Sequence, residues 1–333
     1  MTEERTEPIE AEAIEEEDEP VRVPVYLITG FLESGKSTFL DYTVRQQYFK
    51  IEGKSLLVAC EQGEIEFDED VLRDNHTVLV NVEDKDAFTE DFLQQLENTE
   101  HPERVMLEYN PLWTMQDLFA MKLPEGWGFV QQIVTVDAST FQVYMNNMKA
   151  LFRDMVLNAD MVIFNRCNQE MPLANFRRSI KVVNPAGEVL FETESGEMTD
   201  IFENSVPYDL DADVIDIEDV DYGIFFVDLT DDPEKYMGKT VRFKGQVMKI
   251  ADAEADYFVP GRYAMTCCAD DMQFLGYVCK SKNAAKLLYG SWVEVTAEIG
   301  WEYMPAYHRE GPVFRAKAIK SAKAPQVELV YFS

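Results

Sequence analysis

Residues 28–40 read ITGFLESGKSTFL, and within them Gly30–Ser37 fits the spacing G-x-x-x-x-G-K-[ST]. Glycines at these places let main-chain N–H groups turn inward around phosphate oxygens. Lys36 would bridge the outer phosphates and Ser37 would offer its hydroxyl to Mg²⁺. The start of the following helix adds the positive end of its dipole. The pattern has meaning only between a strand and a helix. VPVYLIT (23–29) is a short apolar strand ending at Gly30, and Thr38–Tyr48 reads as a helix. The competing reading is a plain glycine turn. On the phosphate reading, Gly30, Glu33, Ser34, Gly35, Lys36, Ser37 and Thr38 contact the nucleotide.

Further apolar runs follow at 55–60, 77–82, 104–108, 131–136 and 160–165, with helical spacing at 88–96, 139–158 and 172–181. Strands alternating with helices over about 170 residues indicate an α/β fold, a doubly wound, mostly parallel sheet of the P-loop NTPase kind. Mg²⁺ needs a second acidic contact from the end of a neighbouring strand. Glu108, closing RVMLE, stands in the right place; the competing reading is a surface carboxylate.

The chain has 333 residues, enough for two domains with separate cores. Its formal net charge is -32, from 62 acidic and 30 basic residues. Residues 1–20 carry no aromatic side chain and a single base, Arg5, among many acids. Such a run buries too little to order itself, so 1–22 read as a disordered acidic tail. This charge repels phosphate backbones, which argues against nucleic acid; cations, basic partners or solubility remain. No apolar run approaches the ~18 residues of a membrane helix and no signal peptide opens the chain. A cytoplasmic protein without direct membrane insertion is expected. Five cysteines, an odd number, suit reduced thiols better than a disulfide framework.

Past a P-loop domain at 23–200, the texture changes. An acidic stretch at 201–221 contains PYDLDADVIDIEDVD (207–221), which has no base and suits a solvated linker. Asp209, Asp211 and Asp213 open like a calcium loop, but Val214 and Val220 stand where Gly and Glu are needed. In 222–333, short runs at 241–250, 263–268, 274–279, 291–299 and 312–320 are rich in β-formers and broken by Gly and Pro. Five such strands suggest a small all-β barrel, OB-like.

Taken together, these segments resemble the CobW-like P-loop GTPases, a class of metallochaperones and relatives of the nickel-insertion GTPases. ITGFLESGKSTFL resembles the family's phosphate loop and CEQGEIEFD (60–68) its N-E-x-G-E-x-x-x-D switch. VMLEYNP (105–111) resembles its E-T-x-G segment, and IVTVDASTF (133–141) a later strand. NADMVIFNRCN (158–168) resembles the strand carrying the N-K-x-D base-reading motif, and NPAGEVL (184–190) the segment after it. The resemblance spans about 23–195. It implies a slow GTPase with Lys36 and Glu108 as catalytic residues, Mg²⁺ on Ser37 and Glu108, and Asn165, Arg166 and Asn168 at the base. GKTVRFKGQV (238–247), FVPGRYAMTCCADD (258–271) and SWVEVTAEI (291–299) are similar to the C-terminal domain of an uncharacterised bacterial family found beside a predicted permease.

Three departures matter. Pro111 replaces the glycine of E-T-x-G and has no N–H to give a γ-phosphate. Asn168 replaces the aspartate of N-K-x-D, so weak or altered base selectivity, GTP or ATP, is expected. The family's C-x-C-C metal motif is missing from the segment before Glu108. A thiolate with two carboxylates, Cys60, Glu61 and Glu64, could hold Zn²⁺, and the resemblance implies that use of the acids; Cys267 with Cys268 is a second candidate pair, able to share one ion only at a bend or bulge. Against both stands plain core packing; adjacent strand residues point to opposite faces.

Two functional classes follow. One is a slow GTPase in metal delivery or homeostasis, with nucleotide, a metal ion and a metalloprotein client or permease as partners. The other is a degenerate NTPase that scaffolds a partner without catalysis. A small-molecule kinase shares the loop but lacks any arginine-bearing lid here.

Overall fold

The structure is a computed structural model. It describes residues 20–61, 66–196, 206–249, 256–265, 272–307 and 309–330. The acidic run 1–19, Glu64, Cys267 and Cys268 lie outside the described residues.

Seven strands, β1 (Val23–Thr29), β2 (Ser55–Ala59), β3 (Thr77–Asn81), β4 (Arg104–Glu108), β5 (Trp127–Asp137), β6 (Met161–Cys167) and β7 (Glu188–Thr193), form one parallel sheet. Their order is β3-β2-β4-β1-β5-β6-β7. Between them run α1 (Lys36–Val44), α2 (Glu69–Asp74), α3 (Glu90–Glu100), α4 (Met115–Ala120), α5 (Phe141–Asn147), α6 (Lys149–Val156) and α7 (Leu173–Val183). The central strands are apolar throughout because helices cover both faces. Alternate residues therefore enter opposite cores: Leu27, Val58 and Leu107 face one, Ile28, Leu57 and Met106 the other. The sheet grows outward from β1 in both directions, which makes the carboxyl end of β1 the switch point where doubly wound folds place ligands.

The second half is a mostly antiparallel sheet of β8 (Ile215–Asp216), β9 (Thr240–Met248), β10 (Tyr257–Met265), β11 (Met272–Gly276), β12 (Cys279–Lys280), β13 (Trp292–Met304) and β14 (Arg309–Ser321), accompanied by α8 (Tyr222–Asp231). Strand β9 pairs with β13 on one side and β10 on the other, and pairing passes from β13 through β14 and β12 to β10. Its residues alternate, with Val241, Phe243 and Val247 buried, as a half-buried strand requires.

The stretch expected as a solvated linker behaves differently from residue 206 onward. Ile215 pairs with Val241 in parallel, and Ile215 and Ile217 are buried in the second core. Asp216 between them is exposed, and Asp219 just beyond pairs with the buried Arg262 and with Lys244. Residues 20–22, expected in the acidic tail, are likewise fixed at Arg22. Its N–H bonds Gly126 O at 2.8 Å and its guanidinium meets Glu97 at 2.6 Å.

Helix α7 joins the halves. Leu173, Phe176, Ile180 and Val183 enter the first core, while Val182 belongs to the second. Arg177 and Lys181 both reach Asp231, at the end of α8, at 3.0 and 3.1 Å.

Candidate functional site

Strand β1 ends where Gly30 takes φ 146°, and the loop then carries Glu33 at φ 62° and Gly35 at φ 92°. A Cβ on Gly30 would collide with the Thr135 carbonyl, and one on Gly35 would lie 2.7 Å from Asn165 Nδ2. Only glycine fits either place. Helix α1 starts at Lys36 with Gly35 as its cap and no side-chain acceptor on its first amides. Those N–H groups and the dipole end face the loop.

Glu33 is a non-glycine residue in the left-handed region, a conformation that persists only when its surroundings hold it. They do so at three points. Arg166 donates to Glu33 O at 3.0 Å, Asn165 Nδ2 donates to Ser34 O at 2.7 Å, and Ser34 and Thr135 share a hydroxyl hydrogen bond of 2.9 Å.

Lys36 is buried beneath the loop. Its ammonium donates to Gly30 O at 2.9 Å and Phe31 O at 3.1 Å, and it pairs with Glu61 at 2.6 Å. Ser37 donates to Glu108 Oε1 at 2.8 Å. Glu108 is only 1 % exposed. Burial raises its pKa above the ordinary carboxylate range; the Ser37 hydrogen bond and the Lys36 charge oppose this, and Glu61 adds to it. Two hard oxygens so placed, a hydroxyl and a buried carboxylate, fit Mg²⁺. Thr38 lies exposed on the next position of α1.

At the other end of the site, the pairing of β6 with β7 shifts register between Phe164 and Cys167, and Arg166 takes φ 54°. The bulge turns Asn165 and Arg166 toward the loop. Arg166 also pairs with Asp137, which closes β5 and accepts from Ser139 N at 2.8 Å and Ser139 Oγ at 2.6 Å. Burial pushes the Asp137 carboxyl upward, but the Ser139 bonds and the Arg166 charge outweigh it and hold the group below its usual value. Asn168 turns its amide oxygen to Glu170 N at 2.9 Å. Asp137 carries no role in the motifs that mark the other site residues. Its signal was the one that marked Glu108, an acid closing an apolar strand.

After Glu108 the chain is pinned. Asn110 donates to Cys60 O at 3.3 Å and accepts from Leu112 N at 2.9 Å. Tyr109 and Trp113 pack edge to face at 5.5 Å, both against Phe88. Pro111 sits inside this turn without an N–H.

For zinc the fit is different. Cys60 is fully buried, and burial together with Glu108 pushes its thiol far above the usual range in the metal-free protein. Glu61 is engaged by Lys36. Among the described residues no group of three or more His, Cys, Asp or Glu could hold a metal ion. Also among them, no helix is long and apolar enough to cross a membrane.

A strand, a glycine-bounded loop, a Lys-Ser helix start and an acid from the adjacent strand define a P-loop nucleotide-binding domain. Residues 24–191, just over half of the chain, match the CobW/HypB/UreG nucleotide-binding domain family, and the chain belongs to it. Residues 193–332 match the DUF1980 C-terminal domain. No curated protein matches the chain. Among solved structures, the hydrogenase maturation factor HypB from Archaeoglobus fulgidus is similar at 14 % identity, covering 53 % of this chain and 83 % of that one, with a TM-score of 0.40. Zn(II)-bound YjiA GTPase from E. coli is 15 % identical over 76 % of this chain and 88 % of its own, with a TM-score of 0.41. HypB from Helicobacter pylori in complex with nickel is 14 % identical over 52 % and 80 %, with a TM-score of 0.36.

Proposed function

We propose that the chain binds a purine nucleoside triphosphate with Mg²⁺, hydrolyses it slowly, and serves metal delivery or metal homeostasis in the cytoplasm. The observation that supports this reading best is the convergence of Lys36, Ser37 and Glu108 on one side of the 30–37 loop. Lys36 and the loop amides, from Gly30 to Thr38, would hold the phosphates. Ser37 and Glu108 would hold Mg²⁺, which neutralises charge on the phosphate oxygens when bound. Asn165 and Arg166 keep the loop in shape and would border the base. Asn168 offers one amide oxygen, so it cannot accept from both the guanine N1–H and its amino group as aspartate would. Discrimination between GTP and ATP is weak on this account.

The metal role rests on membership of the CobW/HypB/UreG family, and zinc or a similar ion is the proposed cargo. The second half would present the surface for a metalloprotein client or a permease. Calorimetry with GTP, ATP and their diphosphates, with and without Mg²⁺ and Zn²⁺, tests the reading together with phosphate release from Mg-GTP. Turnover that Lys36→Ala abolishes supports it.

Pro111 in its pinned turn, with Asn168, favours a second reading: a nucleotide-binding scaffold without turnover. Tight binding with no phosphate release under any condition supports that one.

A further inference from the structure

An ammonium has three N–H donors and no acceptor. On Lys36 two of them go to the carbonyls of Gly30 and Phe31, and the ammonium forms an ion pair with the carboxylate of Glu61. Only Glu61 brings a full negative charge, and at 2.6 Å it is also the nearest. The pair is sheltered, with 3 % of the lysine and 14 % of the glutamate side chain exposed. Solvent and salt therefore screen it far less than a surface pair. Its position follows from the fold. Cys60 N bonds Glu108 O at 2.9 Å, carrying the pairing of β2 and β4 one residue past β2 and setting Glu61 beside the phosphate loop. Glu61 and Glu108 thus flank one cation, and the Glu61 charge helps to raise the Glu108 pKa.

We infer that Glu61 is a built-in competitor for phosphate, holding on Lys36 the place that a phosphoryl oxygen takes. The inference rests on the phosphate-binding reading above. Nucleotide entry exchanges one anion for another at a fixed ammonium, so net affinity is the difference between two strong contacts. The chain binds nucleotide less tightly than its loop alone would. Because the contest is at the ammonium, the base does not enter it, and di- and triphosphates feel it alike. A carboxylate that merely positions Lys36 would act in the opposite sense, since its removal would loosen the lysine and weaken binding.

The test is calorimetry on the full chain with Mg-GTP, Mg-ATP and Mg-GDP. The proteins are wild type, Glu61→Gln, Glu83→Gln and Lys36→Ala. Glu61→Gln keeps the shape and removes the charge. It is expected to tighten all three nucleotides by about tenfold, the scale of one sheltered charge pair. Glu83→Gln makes the same change of net charge at an exposed position just past the neighbouring strand and should shift affinity by less than about twofold. Affinity unchanged or weakened in Glu61→Gln overturns the inference, as does equal tightening in Glu83→Gln. Lys36→Ala separates the two levels. If it abolishes binding while Glu61→Gln has no effect, the phosphate-binding reading stands and the competitor falls. If it binds as wild type does, both fall.

Discussion

The hydroxyl of Ser37 donates to Glu108 Oε1 at 2.8 Å, tying the first turn of α1 to the end of β4. Seventy-one positions separate the two residues in the chain, and parallel pairing of β1 with β4 brings them together. Val25 aligns with Val105 and Ile28 with Glu108, which sets the loop after β1 directly beside the acid.

Glu108→Gln should separate stability from metal dependence. The folded pKa of Glu108 is raised by burial, so the protonated acid is the form the fold prefers. Its stabilising contribution is present at low pH and is lost as pH rises through the raised value. The amide variant has no charge to bury, so its thermal midpoint should exceed the wild type's by about 2–4 °C at pH 8 and match it at pH 4. Calorimetry should show the Mg²⁺-dependent part of nucleotide affinity reduced about tenfold or more, as expected for losing a charged oxygen ligand.

The Asp137–Arg166 pair gives a second pH signature with the opposite sign. Asp137 has a lowered folded pKa, so its contribution is present above the ordinary carboxylate range and is lost as pH falls through that range to the folded value. Arg166 is about half exposed, so Arg166→Ala should change global stability by less than about 1 kcal/mol. It also frees the Glu33 carbonyl, and nucleotide affinity should drop about three- to tenfold as the loop loses that support. Asp137→Asn should reproduce the affinity loss and abolish its dependence on acid pH between about 3 and 5.

Base choice turns on one atom pair. Wild-type affinities for GTP and ATP should differ by less than about tenfold, and Asn168→Asp should widen the GTP preference by about tenfold or more, because a second acceptor then meets the guanine edge. Competition binding with a fluorescent nucleotide measures both. No change on introducing the carboxylate would place the base elsewhere.

Asp231→Ala leaves Arg177 and Lys181 facing each other at the junction of the halves. The acid side chain is 9 % exposed, so the loss should exceed that of a surface pair, about 1–3 kcal/mol. A single thermal transition shifted downward, with nucleotide affinity unchanged, is the expected melt.

What the sequence makes legible depends on what each residue needs. Lys36, Ser37 and the bounds of β1 and β4 follow from local spacing, because the loop's chemistry and the buried strands are written in consecutive residues. Helix α8 was not legible: YGIFFVDLTD is apolar almost all round, with Tyr222, Phe225, Val227 and Leu229 buried, and such a run has no polar face to betray its period. Counting acids in 207–221 hid the alternation of Ile215, Asp216 and Ile217, which makes a strand of an apparent linker. Asp137 and the Lys36–Glu61 pair needed the register between neighbouring strands. No motif encodes that register.

One helix has two masters. With Val182 sunk in one core and its sister side chains in the other, α7 serves as a common keel, and neither half can be lifted away without stripping hydrophobic surface from its companion. Severing the chain near residue 195 would yield two sticky, poorly soluble fragments instead of two usable pieces.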